Sequence, residues 1–213
     1  MSFITYSLKW LLRGLTFENI MMSVIHVRRT VTADLEFVLT AERHPDNAPY
    51  VGQWHQERHA RAIASADEAH FIIELSPTEP ASPVTGQVTG QVTGQITGKP
   101  TVQQSRGHAI GYMICQGLQN EHDAVSLCRI VITEKGKGYG RQALEWLKAY
   151  AFNTLGTHRL WFDVIASNQR ARSLYASAGF KEEGILRGAW KTTAGYKPLI
   201  ILSMLDDEYS AGQ

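Results

Sequence analysis

The sequence predicts an α/β fold, because an apolar strand-like run passes directly into an amphipathic helical stretch twice in its second half. In the first case Leu127-Cys128-Arg129-Ile130-Val131-Ile132 leads through Lys135-Gly136-Lys137-Gly138-Tyr139-Gly140-Arg141 into a helical stretch from Gln142 to Phe152. In the second, Leu160 to Ile165 leads into Ala166 to Phe180, where Ala171, Leu174, Tyr175 and Ala178 share one face at helical spacing. Further short β-type runs are scattered along the rest of the chain.

Taken in order, Val24 to Arg29 alternates as a first strand. Thr32-Ala33-Asp34 opens a helix through Arg43, with Thr32 as candidate N-cap. His44 to Tyr50 carries two prolines and reads as a loop. A polar helix is expected from Gln53 to Ala64, and strands from Ala69 to Leu75, His108 to Leu118 and Ala124 to Ile132. Asn168 is a natural N-cap and Gly179 a natural stop for the later helix. Phe180 to Lys191 and Pro198 to Leu205 close the chain as an antiparallel pair.

Between Leu75 and His108 lies a four-residue repeat, Val84-Thr85-Gly86-Gln87 and its three successors through Ile96-Thr97-Gly98-Lys99. A glycine in every unit and no aromatic residue leave it little to bury. It reads as a surface loop expanded by duplication, with an extended hairpin arm as the alternative. Units of four residues are too short for a solenoid.

Composition narrows the classes. The formal net charge is +1, with acids and bases interspersed, which argues against a dedicated nucleic-acid or membrane-surface protein. No stretch approaches the length of a bilayer span, and Met1 to Met22 lacks the apolar core of a signal peptide. The two cysteines, Cys115 and Cys128, both lie in apolar runs. They point to a reducing, cytoplasmic compartment without disulfides. Neither has a partner at metal-ligand spacing, so no metal site is expected.

The glycine turn carries the chemistry. Glycines let the backbone turn tightly and approach a ligand, and the first amides of a helix lack internal partners at the positive end of its dipole. The segment suits a phosphate or pyrophosphate. It is not a P-loop, and Ala143 stands where the dinucleotide fingerprint needs its third glycine. A ligand-free βα turn is the plain alternative.

Lys135-x-x-Gly138-x-Gly140 resembles the Gln/Arg-x-x-Gly-x-Gly/Ala motif of the GNAT N-acetyltransferase superfamily, with Lys135 keeping a cation in the Gln/Arg place. Asn168-x-x-Ala171-x-x-Leu174-Tyr175-x-x-x-Gly179-Phe180 resembles a second segment of that superfamily. The likeness spans roughly Ser23 to Leu205 with one insertion. His158 to Val164 and Ile200 to Leu205 look most like the branch of ribosomal-protein N-terminal acetyltransferases.

That resemblance implies an open, mixed, mostly antiparallel sheet with a splayed central strand pair and flanking helices. It implies one domain over 23–205, interrupted by the 76–106 insert. Residues 1–22 would be an extension, or an artefact of start-codon choice, and 206–213 a C-terminal tail. Acetyl-CoA would be the acetyl donor, with no metal. Its pyrophosphate would lie on the backbone of Gly136, Lys137, Gly138, Tyr139, Gly140 and Arg141, with Lys135, Lys137 and Arg141 supplying charge. Its pantetheine arm would pair with the backbone of Ile130, Val131 and Ile132, which equally suit a core strand. Asn168 would contact the arm, a role compatible with capping. Tyr175 would protonate the leaving thiolate; packing on the apolar helix face is its rival role. Asp163 would be the general base, with a salt bridge to Arg159 or Arg129 as its rival. Ser126 departs from a glutamate that relatives often carry there, and Glu121, His122, Asp123 or His108 could substitute.

The acceptor would be a primary amine, on a small molecule or a protein N-terminus. Tyr50, Trp54, Trp190 and Tyr196 are candidates for its aromatic walls. A homodimer is compatible with this reading. Two alternatives stay open: an inactive acyl-CoA-binding regulatory module, and a generic phosphate binder.

Overall fold

The computed structural model describes residues 25–75 and 107–212. The N-terminal extension and the repeat insert lie outside the described residues.

Among the described residues seven strands form one sheet: β1 (Ile25–Arg29), β2 (Glu68–Leu75), β3 (His108–Gln116), β4 (Ala124–Ile132), β5 (Arg159–Ile165), β6 (Lys181–Thr192) and β7 (Gly195–Leu205). Their spatial order is β1-β2-β3-β4-β5-β7-β6. Every neighbouring pair is antiparallel except β4 with β5. This is the mixed, mostly antiparallel sheet expected.

Helices α1 (Leu35–Arg43) and α2 (Gln56–Ala64) precede β2; α3 (Tyr139–Ala149) and α4 (Gln169–Ser177) follow β4 and β5. The larger core gathers Phe71, Met113 and Leu127 from the sheet with Leu144, Leu147 and Tyr175 from α3 and α4. A smaller core sets Val38 and Ala41 of α1 on Ile72, Tyr112, Ile114 and Val131. Alternating side chains of one sheet thus feed two apolar layers. Among the described residues no helix is long and apolar enough to cross a membrane.

Several boundaries moved for identifiable reasons. Thr32 does not cap α1. It opens a short 3-10 turn, Thr32–Asp34, in which the Asp34 carboxylate accepts the Val31 amide at 2.8 Å and the Arg28 guanidinium at 2.7 Å. The helix expected from Gln53 begins only at Gln56, after an irregular stretch in which the Trp54 amide donates to the Glu42 carboxylate at 3.1 Å. Helix α3 starts at Tyr139, three residues early, since Gly138 caps it in a left-handed conformation (φ 80°). It runs on through a π turn, Tyr150–Thr154. Asp206–Ala211, read as tail, form the short helix α5.

Two irregularities position the site. β4 and β5 pair only at Ala124, Val125 and Ser126, and beyond them the strands part. On the other side of β4, Ile114 faces Arg129 while Cys115 faces Leu127, so Cys128 is an extra residue, a β-bulge. Leu127 points into the larger core. Past the bulge Val131 points into the smaller one, and Arg129, two residues before it, lies on that same face.

Candidate active site

The gap between β4 and β5 opens into a cavity of about 1180 Å³. The glycine turn and the start of α3 close one end. Tyr50 to Trp54 and Trp190 of β6 close the other, and α4 forms a side.

At the glycine end, Gly136 and Gly138 have φ of 83° and 80° with open space where a Cβ would stand. Conformation, not crowding, demands glycine at both. A Cβ on Gly140 would meet Leu174 at 3.1 Å, so this glycine lets α3 close on α4. The Arg141 and Gln142 amides both turn back to the Gly138 carbonyl, at 3.1 and 3.2 Å. Those of Tyr139 and Gly140 head the helix without helical partners, beside the cavity. Lys135 and Arg141 line it too. Lys135 Nζ donates to the Asp46 carbonyl at 2.8 Å, and Arg141 Nη2 to Ser177 Oγ at 2.9 Å. Lys137 does not line it; its ammonium pairs with Glu134 at 2.7 Å. Arg170, which sequence reasoning passed over, adds a cation.

Along the wall, Ile130, Val131 and Ile132 line the opened edge of β4. The Thr133 amide donates to Ile110 of β3 at 2.8 Å. Backbone polarity alternates along a strand. Ile132 and Ile130 therefore turn their N–H and C=O groups away from β3 and into the gap, while Val131 turns its own towards β3.

Asn168 lines the cavity and also caps α4, accepting the Ala171 amide at 3.2 Å. Tyr175 projects from α4, 7% exposed, its ring 4.4 Å from that of Phe162. Its hydroxyl has no hydrogen-bond partner among the described residues. Burial pushes the phenol above its ordinary range, and the Asp163 charge adds to this. Asp163 lies on β5 with its surface open to the cavity. The cleft walls still remove enough water to raise its carboxyl above the usual carboxylate range. Neither rival salt bridge forms: Arg159 pairs with Glu183, and Arg129 with Glu42. Ser126 lines the cavity, but none of Glu121, His122, Asp123 and His108 does. Asp123 sits in the turn before β4 at φ 49°, and His108 pairs with Glu134 at 3.0 Å.

Of the expected aromatic walls, Tyr50, Trp54 and Trp190 line the cavity. Tyr196 does not. It stands 68% exposed near the β6–β7 turn.

Sequence reasoning missed a buried polar cluster behind this end. Glu42 of α1, 1% exposed, accepts hydrogen bonds from Tyr112 Oη at 2.7 Å, the Trp54 amide and Arg129 Nη1. His59 Nε2 lies 3.2 Å from Glu42 Oε1, at an angle too poor for a hydrogen bond. His59 Nδ1 meets His70 Nε2 at 3.1 Å, and His70 Nδ1 meets Thr30 Oγ1 at 2.8 Å. Burial works to raise the Glu42 carboxyl, but the His59 contact, the Arg129 charge and the Tyr112 and Trp54 donors outweigh it and leave it lowered. Arginine inside an apolar strand run was the one sign of this cluster in the sequence.

A mixed sheet whose central parallel pair splays beside a glycine turn and a helix N-terminus defines the class of this protein. The chain belongs to the GNAT acetyltransferase family, whose model matches residues 46–180.

Among curated proteins, it is similar to the [ribosomal protein bS18]-alanine N-acetyltransferases of Salmonella typhimurium and Escherichia coli K12. Each is 40% identical over 68 residues, 32% of this chain and 45% of the relative. The chain thus spans less than half the length of these relatives. Among solved structures, the Vibrio cholerae spermidine N-acetyltransferase in complex with CoA and spermine superposes with a TM-score of 0.69 at 19% identity, covering 88% of this chain and 99% of that one. A dodecameric form of the same enzyme gives 0.64 at 19% identity, covering 88% and 96%. At that identity the likeness concerns the fold.

Proposed function

We propose that the protein transfers an acetyl group from acetyl-CoA directly to a primary amine, on a small molecule or a protein N-terminus. The observation that carries this is the parting of β4 from β5 after Ser126, which leaves the Ile130 and Ile132 backbone open beside the amides heading α3. An extended chain with amide groups fits the open edge as an added strand, and a pyrophosphate fits the glycine turn.

Bound acetyl-CoA supplies a thioester. Along the edge of β4, a backbone N–H of Ile130 or Ile132 polarises its carbonyl oxygen. Asp163, uncommitted and with a raised carboxyl, takes the proton of the attacking amine, directly or through water. The C–N bond forms as the C–S bond breaks. Tyr175 donates its phenolic proton to the departing sulfur, and its raised value keeps it a proton donor near neutral pH. Asn168 and the backbone from Gly136 to Arg141 hold the donor. Lys135 and Arg141 add positive charge, and Lys137 contributes only to the charge around the turn.

Nothing specific favours an inactive acyl-CoA-binding module. The relatives' acceptors, a ribosomal protein alanine and spermidine, mark the range to assay. A cytoplasmic location accords with two reduced cysteines, of which Cys115 is buried with its thiol pushed up to about 12. A homodimer is the assembly to look for first.

Calorimetric titration with acetyl-CoA, followed by a transfer assay over an amine panel, tests the reading. Binding together with turnover of at least one amine is expected. A well-folded protein that binds no acetyl-CoA would sink it.

A further inference from the structure

Beside the reacting groups, the acceptor end of the cavity holds, among the described residues, one cation that the chemistry above does not use. Arg129 is 9% exposed and lines the cavity. The Cys128 bulge places it on the face of β4 that carries Glu42 and Trp54. Its guanidinium carbon lies 4.3 Å from the centre of the Trp54 ring, and its Nη1 donates to Glu42. Glu42 holds the Trp54 amide and Tyr112 Oη as well, so a single carboxylate fixes both the arginine and the loop beneath it.

Among the described residues Arg129 hydrogen-bonds through Nη1 alone. His59 Nε2 is the buried side-chain polar atom left without a partner there, so the Nε and Nη2 donors of Arg129 are reached from the cavity. A notch lies beside Nη2 because residue 52 is glycine. A Cβ there would stand 3.2 Å from Nη2 and 3.0 Å from Trp190 Cη2. Aimed donors, a planar cation on an aromatic ring and a notch beside them suit an oxygen acceptor. They do not suit a second ammonium. Among the described residues Asp163 is the one carboxylate lining this end; Asp46 and Glu134 line the cavity beside the glycine turn.

Building on the acetyl-transfer reading, on which this rests, we propose that Arg129 is a specificity-determining residue. It hydrogen-bonds an oxygen carried close to the acceptor amine, as on an α-amino acyl or α-amino carboxylate group, and so selects such amines over simple alkylamines and polyamines. Glu42 is its positioning residue. It compensates the arginine charge, so the site reads an oxygen by hydrogen bonding and does not require a net anion.

The test pairs acetyl-CoA calorimetry with steady-state acetylation of four probes: glycylglycinamide, glycine, propylamine and spermidine. The first two carry the oxygen as carbonyl or carboxylate, and comparing them tells which source the site takes. The wild-type protein should use at least one of them with kcat/KM well above that for propylamine. Arg129→Met should raise KM for that probe by roughly ten- to a hundredfold, leaving acetyl-CoA affinity and propylamine KM unchanged. Arg129→Lys should recover part of the loss, because it restores the charge but not the fork. If Arg129→Met fails to fold around the unpaired Glu42, the double variant Glu42→Gln/Arg129→Met removes that carboxylate and carries the same readout. An equal loss for propylamine and the oxygen-bearing probes overturns the proposal, as does a wild-type preference for propylamine or spermidine. Failure to bind acetyl-CoA at all overturns the acetyl-transfer reading, and the acceptor proposal with it.

Discussion

Tyr175 and Asp163 stand at the two ends of the proposed proton traffic, and each can be removed without disturbing the fold. Tyr175→Phe keeps the ring against Phe162 and deletes only the hydroxyl. It should lower kcat by about 10²-fold or more with acetyl-CoA affinity spared, in steady-state kinetics paired with calorimetry. Asp163 must be ionised to accept a proton, and desolvation raises its carboxyl. Activity should therefore fall on the acid side, starting at a higher pH than an ordinary aspartate would impose. Asp163→Asn should flatten that limb as well as lower the rate; a limb that persists unchanged in the variant would move the base elsewhere. Glu42 lies deeper. Glu42→Ala leaves the Arg129 cation buried and unpaired and strips partners from Tyr112 and the Trp54 amide. It should cost about 3–5 kcal/mol in denaturant unfolding.

The glycine turn is the element where backbone conformation and binding meet. Gly138→Ala adds a methyl that meets nothing within 4 Å, so its cost comes from φ of 80° alone. The expected loss is about 1–2 kcal/mol of stability, with weaker acetyl-CoA binding wherever the turn relaxes. Thermal melts and calorimetry on one sample report both. This element was legible in the sequence because its requirement is local: left-handed residues and a following amphipathic run appear as glycines and spacing. Helix α4 was legible for the same reason, through Asn168 as cap and Tyr175 on the apolar face. For Lys137 the sequence shows the charge but not its pairing with Glu134. Tyr196 was misread as a cavity wall, for which end of a hairpin reaches the cleft depends on how far β6 and β7 extend beyond the sheet.

At the scale of the whole molecule, one buried histidine, His70, ties stability to pH. His70 is held neutral, chiefly by burial, with its value lowered to about 3; His59 and Arg129 add to this, while Glu42 and Asp34 oppose it. The unfolded chain takes up a proton there near pH 6.5 and the folded protein does not. Stability from this group is complete above about pH 6.5 and declines as pH falls towards 3, by up to about 1.4 kcal/mol per pH unit. Chemical denaturation between pH 7 and 5 should show the slope, and His70→Gln should reduce it. The insert gives a second test. Leu75 and His108 are paired across β2 and β3, so the ends it connects already meet. Replacing residues 76–106 by a short turn should preserve acetyl-CoA binding and stabilise the protein by up to about 2 kcal/mol, for a connection shortened roughly eightfold. By itself the sequence determined the α/β class, the phosphate-type turn and the Asn168–Tyr175 helix, because each is written in the conformational needs of neighbouring residues. Only the tertiary structure decided where β4 leaves β5, which side of the sheet Arg129 joins, and that Glu42, 87 residues away, receives it. A bulge, a splay and a long-range ion pair are set by how strands register and which faces pack, and no local pattern encodes them.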